Sequence, residues 1–245
     1  MLRSSAAKLA GKCWRVVEAQ HLVSTMKITD TLAEQRILED LIEETKPPIP
    51  PECAKLHFLL ATPFRYSATN PYASRFRRPF ALAGVFYAAE HAEAAIAETA
   101  FYRTLFYAES PDTPWPTNAG EYTAFACTFR SNHVSDIAKK PYLDDRTLYN
   151  LSDYSGSQVF ADAVRAAGFD VIKYRSVRDP EGRNNLALLS CKVFAKPEPV
   201  ERTSWKLHLD ANGARALCES PYLSIQYDRG VFAADPRLAK LKWDR

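Results

Sequence analysis

The sequence predicts an α+β fold in which a mixed sheet and several helices follow a short helical extension. Apolar runs of strand length outnumber amphipathic stretches of helical period along the 245 residues. These elements lack the regular strand–helix alternation of a doubly wound parallel sheet. Hydrophobic residues make up 47% and charged residues 25% of the chain. A globular domain of this length and composition can bury a core without metals or disulfides.

A proline-rich connector marks the predicted domain boundary. Residues 46–51 are Lys-Pro-Pro-Ile-Pro-Pro, a composition that favours a stiff, extended chain. Upstream of it, Asp30 is predicted to cap a helix that ends near Thr45. The apolar stripe of that helix consists of Leu32, Ile37, Leu38, Leu41 and Ile42. Residues 1–50 are therefore predicted to form a helical extension with its connector, and residues 51–245 the main domain.

The main domain is predicted to contain more strands than helices. Apolar runs and period-two alternation predict the strands, whereas apolar residues three and four apart predict the helices. The predicted strands span residues 56–60, 83–87, 122–129, 171–174, 186–194 and 205–209. The predicted helices span residues 92–107 and 155–167, and Gly168 is expected to end the second one.

Charge and cysteine content argue against several classes of function. The formal net charge of +3 is too small to indicate nucleic-acid or membrane binding, and no apolar run is long enough to span a membrane. The five cysteines include no Cys-x-x-Cys pair and the five histidines are dispersed, so reduced thiols and no metal site are predicted. No Gly-rich phosphate loop occurs. The basic opening of the chain lacks a signal-peptide core, which leaves a transit peptide as the alternative to a cytoplasmic protein.

Glu98 is the first candidate functional residue, because it interrupts an apolar helix face. On the predicted helix 92–107, the inward stripe consists of Ala95, Tyr102, Leu105 and Phe106. Glu98 lies between Ala95 and Tyr102 at helical spacing, inside that stripe. A buried carboxylate without a partner is costly. Glu98 is therefore predicted to be functional, to pair with a nearby arginine, or to lie at the solvent-exposed edge of the stripe.

Arg65 and Tyr66 form the second candidate position, directly after the predicted strand 56–60. The planar fork of an arginine suits phosphate or carboxylate, and the tyrosine adds an aromatic face. A salt-bridging arginine at a strand end is the alternative. Arg75 lies in a basic cluster with Arg77 and Arg78, which either meets a polyphosphate or forms a solvated loop.

Tyr87 and Ser155 complete the candidate set. Tyr87 closes a predicted strand, where its ring either stacks on a flat ligand or packs in the core. Ser155 with Gln158 matches the capping box that opens a helix, and such a helix start also attracts anions. Asn185 and its neighbour Asn184 precede a predicted strand, where they either reach a ligand or form a turn.

Together these residues resemble the RES-domain toxins, a family named for an arginine, a glutamate and a serine in that chain order. The tyrosine-to-glutamate spacing is the most specific part of the resemblance. It spans residues 56–194 and extends to residues 14–20 and 32–51. The matching stretches are Phe64-Arg65-Tyr66-Ser67, Ser74-Arg75-Phe76, Val85-Phe86-Tyr87-Ala88-Ala89-Glu90, Ala95-Ile96-Ala97-Glu98 and Tyr154-Ser155-Gly156-Ser157-Gln158.

The resemblance implies a fold, an activity and partners. RES-domain toxins are similar in fold to ADP-ribosyltransferase toxins, with a mixed split sheet around an NAD cleft. They consume NAD as a substrate, by phosphorolysis or hydrolysis in some members and by ADP-ribosylating a protein in others, and no separate cofactor is implied. They are encoded beside a helix-turn-helix antitoxin that covers the cleft. The implied partners are NAD, that antitoxin and, for a transferase, a protein acceptor.

By position, the resemblance assigns catalysis to Glu98 and Arg65. It assigns NAD binding to Arg65, Tyr66, Arg75, Tyr87 and Ser155. In the implied reaction a carboxylate stabilises an oxocarbenium-like transition state, which fits Glu98. Arg65 would hold the pyrophosphate, Tyr87 would stack on nicotinamide, and Ser155 would hold the ribose or a phosphate.

Several alternatives remain open at this stage. A mono-ADP-ribosyltransferase would use the same residues as an NAD phosphorylase or glycohydrolase. A nucleic-acid-binding module would use the basic cluster at Arg75, but no such motif accompanies it. An inactive scaffold would only bind the antitoxin. A serine hydrolase is disfavoured, because Ser155 lacks a Gly-x-Ser-x-Gly context.

Overall fold

The computed structural model describes residues 7–19, 28–65 and 70–245. The strands of this part of the chain are β1 (Ala7–Glu18), β2 (Phe86–Ala89), β3 (Gly120–Asp136), β4 (Val171–Arg175), β5 (Asn184–Leu188), β6 (Glu201–Asp210), β7 (Gly213–Glu219) and β8 (Tyr222–Asp228). Its helices are α1 (Leu32–Glu44), α2 (Phe58–Arg65), α3 (Ala92–Glu109) and α4 (Ser155–Ala166). Short 3₁₀ turns occur at Pro51–Cys53, Tyr142–Asp144, Cys191–Val193 and Pro236–Leu238. The predicted α+β class is confirmed.

One mixed sheet contains all these strands, in the order β1-β2-β5-β4-β3-β6-β7-β8. Strand β1 pairs with β2 at Trp14 and Ala89, and also with β3 along its length, from Ala7 to Glu18. Five strands therefore close into a ring, from which β6, β7 and β8 extend as a meander. Strands β3 and β4 pair in parallel, and the other neighbours are antiparallel. The likeness to ADP-ribosyltransferases stays a prediction.

The N-terminal extension is only partly helical, so its prediction needs correction. Helix α1 is confirmed, although Thr31 caps it in place of Asp30: Thr31 Oγ1 accepts a hydrogen bond from Glu34 N at 3.2 Å. Residues Ala7–Glu18, however, form strand β1 of the main sheet. The pairing partner of β1 lies more than a hundred residues away, so local periodicity could not reveal it. The boundary between residues 50 and 51 stays a prediction.

The predicted strand over residues 56–60 is wrong, because this segment begins helix α2. The side chain of His57 accepts a hydrogen bond from Leu59 N at 3.2 Å at the start of the helix. A short apolar run has no periodicity that separates a strand from a buried helix. Helix α2 packs closely against Gly84, where a Cβ atom would lie 2.6 Å from the Cα atom of Phe64. The following strand, β2, begins at Phe86, later than predicted.

The remaining elements agree closely with the prediction. Helices α3 and α4 and strand β4 lie within one or two residues of the predicted bounds, whereas strands β3 and β6 contain the predicted strands and extend beyond them. The predicted strand 186–194 is β5 followed by a 3₁₀ turn, and β7 and β8 were not predicted. Of the predicted stripe on α3, Ala95 and Leu105 are buried, but Tyr102 is 50% and Phe106 45% exposed. The buried face of α3 instead continues through Ala94, Ala97, Phe101 and Thr104.

The cysteine prediction is also wrong in part. Cys53 and Cys191 form a disulfide with their Cα atoms 6.0 Å apart. The fold brings together two 3₁₀ turns that are 138 residues apart in sequence, and spacing along the chain gave no sign of this. Cys13, Cys127 and Cys218 are free and buried. Within the described ranges, no group of three or more His, Cys, Asp or Glu residues could hold a metal ion. No helix there is long and apolar enough to cross a membrane.

Candidate functional site

A cavity of about 450 Å³ lies between β1, β2 and α3. Loop residues after β4 and before β2 also line it. A concave site of this size with aromatic walls and a few convergent polar groups is typical of small-molecule binding. The polar and aromatic residues of its wall are Trp14, Arg15, Glu18, Ser74, Arg75, Tyr87, Glu98, Thr99, Tyr102, Arg103, Tyr122, Tyr154, Tyr174, Arg178 and Asn185.

Glu98 projects from α3 into this cavity and is held by two neutral donors. Its Oε1 atom accepts hydrogen bonds from Ser176 Oγ and from Asn185 Nδ2, each at 2.7 Å. Ser176 follows β4 and Asn185 lies in β5, so the sheet positions both donors. In the described part of the chain Glu98 forms no ion pair, contrary to the alternative of an arginine partner. The carboxylate is thus fixed in place while its charge stays available to a ligand.

Arg75 lines the cavity, as the resemblance implied for a ligand-binding residue. The residue is 8% exposed, and its guanidinium donates to the carbonyl oxygens of Leu148 at 2.7 Å and Asn150 at 2.9 Å. The group also lies 5.1 Å from the ring centroid of Tyr154. The neighbouring Arg78 instead pairs with Asp162, outside the cavity. Among the described residues, Arg75 has no carboxylate partner.

Tyr87 also borders the cavity, and its hydroxyl anchors the loop that carries Arg75. Tyr87 Oη lies 2.9 Å from Ser74 Oγ and accepts a hydrogen bond from Phe76 N at 2.9 Å. Burial raises the pKa of this phenol. The hydroxyl is therefore neutral and structural, which leaves the ring as the part of Tyr87 that a ligand can meet.

Arg15 is a cavity residue that sequence reasoning missed. It lies in β1, and its Nη1 atom donates to the carbonyl oxygen of Tyr87 at 2.9 Å. Burial lowers the pKa of its guanidinium, although an arginine remains charged near neutrality. No ion pair to Arg15 is formed by the residues described in the structure. The sequence signal that could have identified Arg15 is its place within the strand-like run Trp14-Arg15-Val16-Val17, because a lone cation in an apolar strand is costly to bury.

Arg178, Asp235 and Arg237 form a cluster beside Tyr154, and Arg178 lines the cavity. Arg178 pairs with the buried Asp235 at 2.7 Å, and its guanidinium lies 3.8 Å from the ring centroid of Phe101. Arg237 pairs with the same carboxylate at 2.9 Å. Burial alone would raise the pKa of the Tyr154 phenol, but a hydrogen bond with Tyr102 and the surrounding guanidinium groups lower it. Sequence reasoning missed this cluster, because Asp235 and Arg237 lie in the C-terminal segment far from Arg178.

Arg65 does not reach the cavity, contrary to expectation. Its Nη1 atom pairs with Glu43 Oε1 at 2.6 Å, and its Nε atom donates to the carbonyl oxygen of Pro47. It lies at the end of α2 rather than at a strand end, and it ties the connector after α1 to the main domain. Tyr66, the adjoining candidate, lies outside the described residues.

Ser155 is exposed and does not line the cavity either. It is the first residue of α4, and Tyr154 is the N-cap, so the predicted capping box is wrong. The N–H of Ser155 donates to Asp153 Oδ1 at 2.9 Å, and this bond lowers the pKa of Asp153. The serine found at the site is Ser176, which is 5% exposed and bonded to Glu98. Asn185 reaches the site rather than forming a turn.

No curated protein matches the sequence. Among solved structures, the chain is similar to one described as the M. tuberculosis MbcT-MbcA toxin-antitoxin complex, with a TM-score of 0.47 and 11% identity over 81% of this chain and 85% of that one. A family model described as the RES domain matches residues 49–210. Since that match covers well over half of the chain, the protein belongs to the RES-domain family.

Proposed function

We propose that this protein is the toxin of a toxin–antitoxin pair and that it cleaves the bond between nicotinamide and ribose in NAD. The observation that carries the proposal is the placement of Glu98: a carboxylate fixed by Ser176 and Asn185 on the wall of a cavity of about 450 Å³. Membership of the RES-domain family supports the same reaction.

The charge of the cavity suits a dinucleotide. Arg15 and Arg75 line it without carboxylate partners among the described residues, so two positive charges remain for an anionic ligand. A guanidinium binds phosphate oxygens through a planar fork of N–H donors. We assign the pyrophosphate of NAD to these two arginines.

The carboxylate of Glu98 is chemically suited to cleavage of the bond between nicotinamide and ribose. Nicotinamide leaves NAD as a neutral group from a cationic ring, so its departure needs no general acid. The ribose carbon gains positive charge in the transition state, as it does in glycoside cleavage. A fixed carboxylate beside that carbon stabilises the developing charge, and a preorganised group does so without reorganisation during the reaction. Glu98 has this role, and Ser176 and Asn185 position it.

The family is named for an arginine, a glutamate and a serine in that order, and such a set occurs at the cavity. Arg15 and Glu98 line the cavity, and Ser176 is hydrogen-bonded to Glu98 Oε1. In this proposal Arg15 replaces Arg65 as an arginine that holds the pyrophosphate, and Glu98 keeps its role. Ser176 positions Glu98, whereas the resemblance gave Ser155 a contact with the ribose or a phosphate. The ring of Tyr87, whose hydroxyl is engaged, is the surface proposed for nicotinamide.

An antitoxin is the proposed protein partner, in keeping with the family resemblance. The neighbouring gene is expected to encode a small helix-turn-helix protein. Co-expression of the two chains followed by purification through a tag on either one should recover both. Recovery of each chain alone at a concentration of micromolar order would contradict the partnership.

The activity is tested by incubating the purified protein with NAD and measuring free nicotinamide. Parallel reactions with and without inorganic phosphate, and with a cell lysate and labelled NAD, identify the acceptor as phosphate, water or a protein. Glu98→Gln should lower the rate by about 100-fold or more, the usual scale for removing one preorganised charge. Glu109→Gln, an exposed position on the same helix, is the matched control. The proposal fails if the wild type releases no nicotinamide under any of these conditions and labels no protein.

A further inference from the structure

Asn185 carries a polar atom that the described structure leaves unpaired. The side chain is 2% exposed and borders the cavity. Its Nδ2 atom donates to Glu98 Oε1 at 2.7 Å, but its carbonyl oxygen, Oδ1, has no hydrogen-bond partner among the described residues. Buried acceptors without donors are destabilising and uncommon in native proteins, so this one calls for an explanation.

The orientation of the amide follows from its neighbour. An ionised carboxylate offers only acceptor positions, so the NH₂ end of Asn185 must face Glu98. A flipped amide would set two oxygen acceptors against each other. Oδ1 is therefore the end of the amide that lacks a partner, next to the nitrogen that donates to Glu98.

The position of Asn185 in the sheet also points to a ligand. It lies in β5, between Tyr174 of β4 and Ala89 of β2, in the interior of the sheet. Asparagine is depleted in strands, and a buried interior position normally carries an apolar residue. The preceding Asn184 points to the other face, where it donates to Glu90 Oε2 at 3.0 Å. Only the second of the two asparagines thus meets the cavity.

We propose that Oδ1 of Asn185 accepts a hydrogen bond from a hydroxyl group of the ribose that carries nicotinamide, and that this residue determines specificity for an intact vicinal diol. The inference rests on the proposed function, which sets Glu98 beside that ribose. Carboxylate and carbonyl are both acceptors, so the ligand must donate twice from adjacent positions. A vicinal diol does this. An ionised phosphate has no donor to offer.

A second donor on NAD is the N–H of the nicotinamide carboxamide, and the experiment separates it from the ribose. Purified wild type and Asn185→Ala are assayed for kcat/KM with four substrates: NAD, the two analogues that lack the 2′- or the 3′-hydroxyl of the nicotinamide ribose, and the analogue that carries a carboxylate in place of the carboxamide. Asn184→Ala, whose side chain lies on the opposite face, is the matched control. Melting temperatures show whether each variant is folded. Asn185→Ser, which keeps a donor near Glu98 but loses the carbonyl, replaces the alanine variant if that one does not fold.

Because Glu98 also faces the ribose, Ser176→Ala is assayed with the same substrates: it removes the other hydrogen bond to Glu98 Oε1 and leaves Asn185 Oδ1 in place. A change in the ratio of NAD to analogue that occurs in Asn185→Ala and not in Ser176→Ala isolates Oδ1. In the wild type and in Asn184→Ala, removal of one of the two hydroxyls should lower kcat/KM by about tenfold, the scale of one net hydrogen bond. In Asn185→Ala, removal of that same hydroxyl should leave kcat/KM almost unchanged. An unchanged penalty in Asn185→Ala overturns the proposal, and so does a change confined to the carboxylate analogue. If the wild type cleaves NAD and the ratios do not move, only the role of Asn185 fails. If the wild type cleaves no NAD at all, the proposed function fails with it.

Discussion

Ser176 donates a hydrogen bond to Glu98, with 2.7 Å between Ser176 Oγ and Glu98 Oε1. The same hydroxyl accepts hydrogen bonds from the backbone N–H groups of Arg178 at 3.1 Å and Asp179 at 3.0 Å. Two backbone donors therefore fix the serine oxygen, and its proton can only point to the carboxylate. The turn after β4 is thus built around the group that positions Glu98.

Replacing this serine should impair catalysis without unfolding the protein. Ser176→Ala removes one hydrogen bond to a charged group, a contribution of about 1.5–3 kcal/mol, so kcat for nicotinamide release is expected to fall by about 10- to 100-fold. Ser155→Ala, at the exposed start of α4, should behave like the wild type. Steady-state kinetics of the two variants decide between the two serines. Greater loss in the Ser155 variant would restore the assignment that the sequence first favoured.

Variants of Arg15 and Arg65 test which of these two arginines binds NAD. Arg15→Ala removes a cavity cation, so the KM for NAD should rise by about tenfold or more, since a hydrogen bond to a charged group contributes about 1.5–3 kcal/mol. Arg65→Ala breaks an ion pair with the exposed Glu43 and should leave KM unchanged. Initial rates over a range of NAD concentrations give both values. An unchanged KM in the Arg15 variant would contradict the assignment of the pyrophosphate.

Asp235 is predicted to make stability depend on acid pH. Burial alone would raise its pKa, but hydrogen bonds from the side chain and backbone of Arg237 and the charge of Arg178 lower it. A carboxyl whose folded pKa is lowered stabilises the fold above its unfolded pKa, and that stability is lost as the pH falls through the folded value. Asp235→Asn should therefore lower the free energy of unfolding at pH 7 by about 3–5 kcal/mol.

Urea denaturation at pH 7 and at pH 3 measures this effect. The difference between wild type and Asp235→Asn should be smaller at pH 3, because the unfolded chain begins to bind a proton at this carboxyl below its ordinary pKa near 4, so the charge stabilises the folded state less. Asp244→Asn is the control, since Asp244 is 90% exposed and pairs only loosely with Arg229. A difference that is equal at both pH values would show that the charge of Asp235 is not the cause.

The disulfide between Cys53 and Cys191 is expected to stabilise the fold. It links the 3₁₀ turn Pro51–Cys53 to the turn Cys191–Val193 that follows β5, and it closes a long loop of the unfolded chain. Cys53→Ser should lower the free energy of unfolding by about 2–5 kcal/mol, and Cys191→Ser by the same amount. Thiol titration of the unfolded, unreduced wild type should find only Cys13, Cys127 and Cys218 reactive. Reaction of all five cysteines, with stability unaffected by reductant, would contradict the pairing.

Local sequence patterns predicted the elements whose signals are local. Helical spacing placed α3 and drew attention to Glu98, although Tyr102 and Phe106 of the same stripe proved half-exposed. The strand-end tyrosine, Tyr87, and the loop arginine, Arg75, also reached the cavity as expected. These three residues lie within one short stretch of chain, where a single strand and helix fix their relative positions.

The remaining parts of the site depend on pairing between distant segments. Arg15 lies in β1, which pairs with the distant β3, and Ser176 and Asn185 can both bond Glu98 because β4 and β5 lie side by side. A short apolar run preceding Arg65 resembled a strand, which gave that arginine a strand-end position it does not have. Ser155 begins a predicted helix, and Ser176 follows a predicted strand. Only the three-dimensional contact with Glu98 distinguishes Ser176 from Ser155.

The central claim is that Glu98 breaks the bond between nicotinamide and ribose, and nicotinamide release by matched variants tests it most directly. Wild type and Glu109→Gln should release nicotinamide from NAD at the same rate, whereas Glu98→Gln, folded to the same melting temperature, should be slower by about 100-fold or more. Equal rates for Glu98→Gln and the wild type, or no release by the wild type with water, phosphate or a protein acceptor present, would contradict the account.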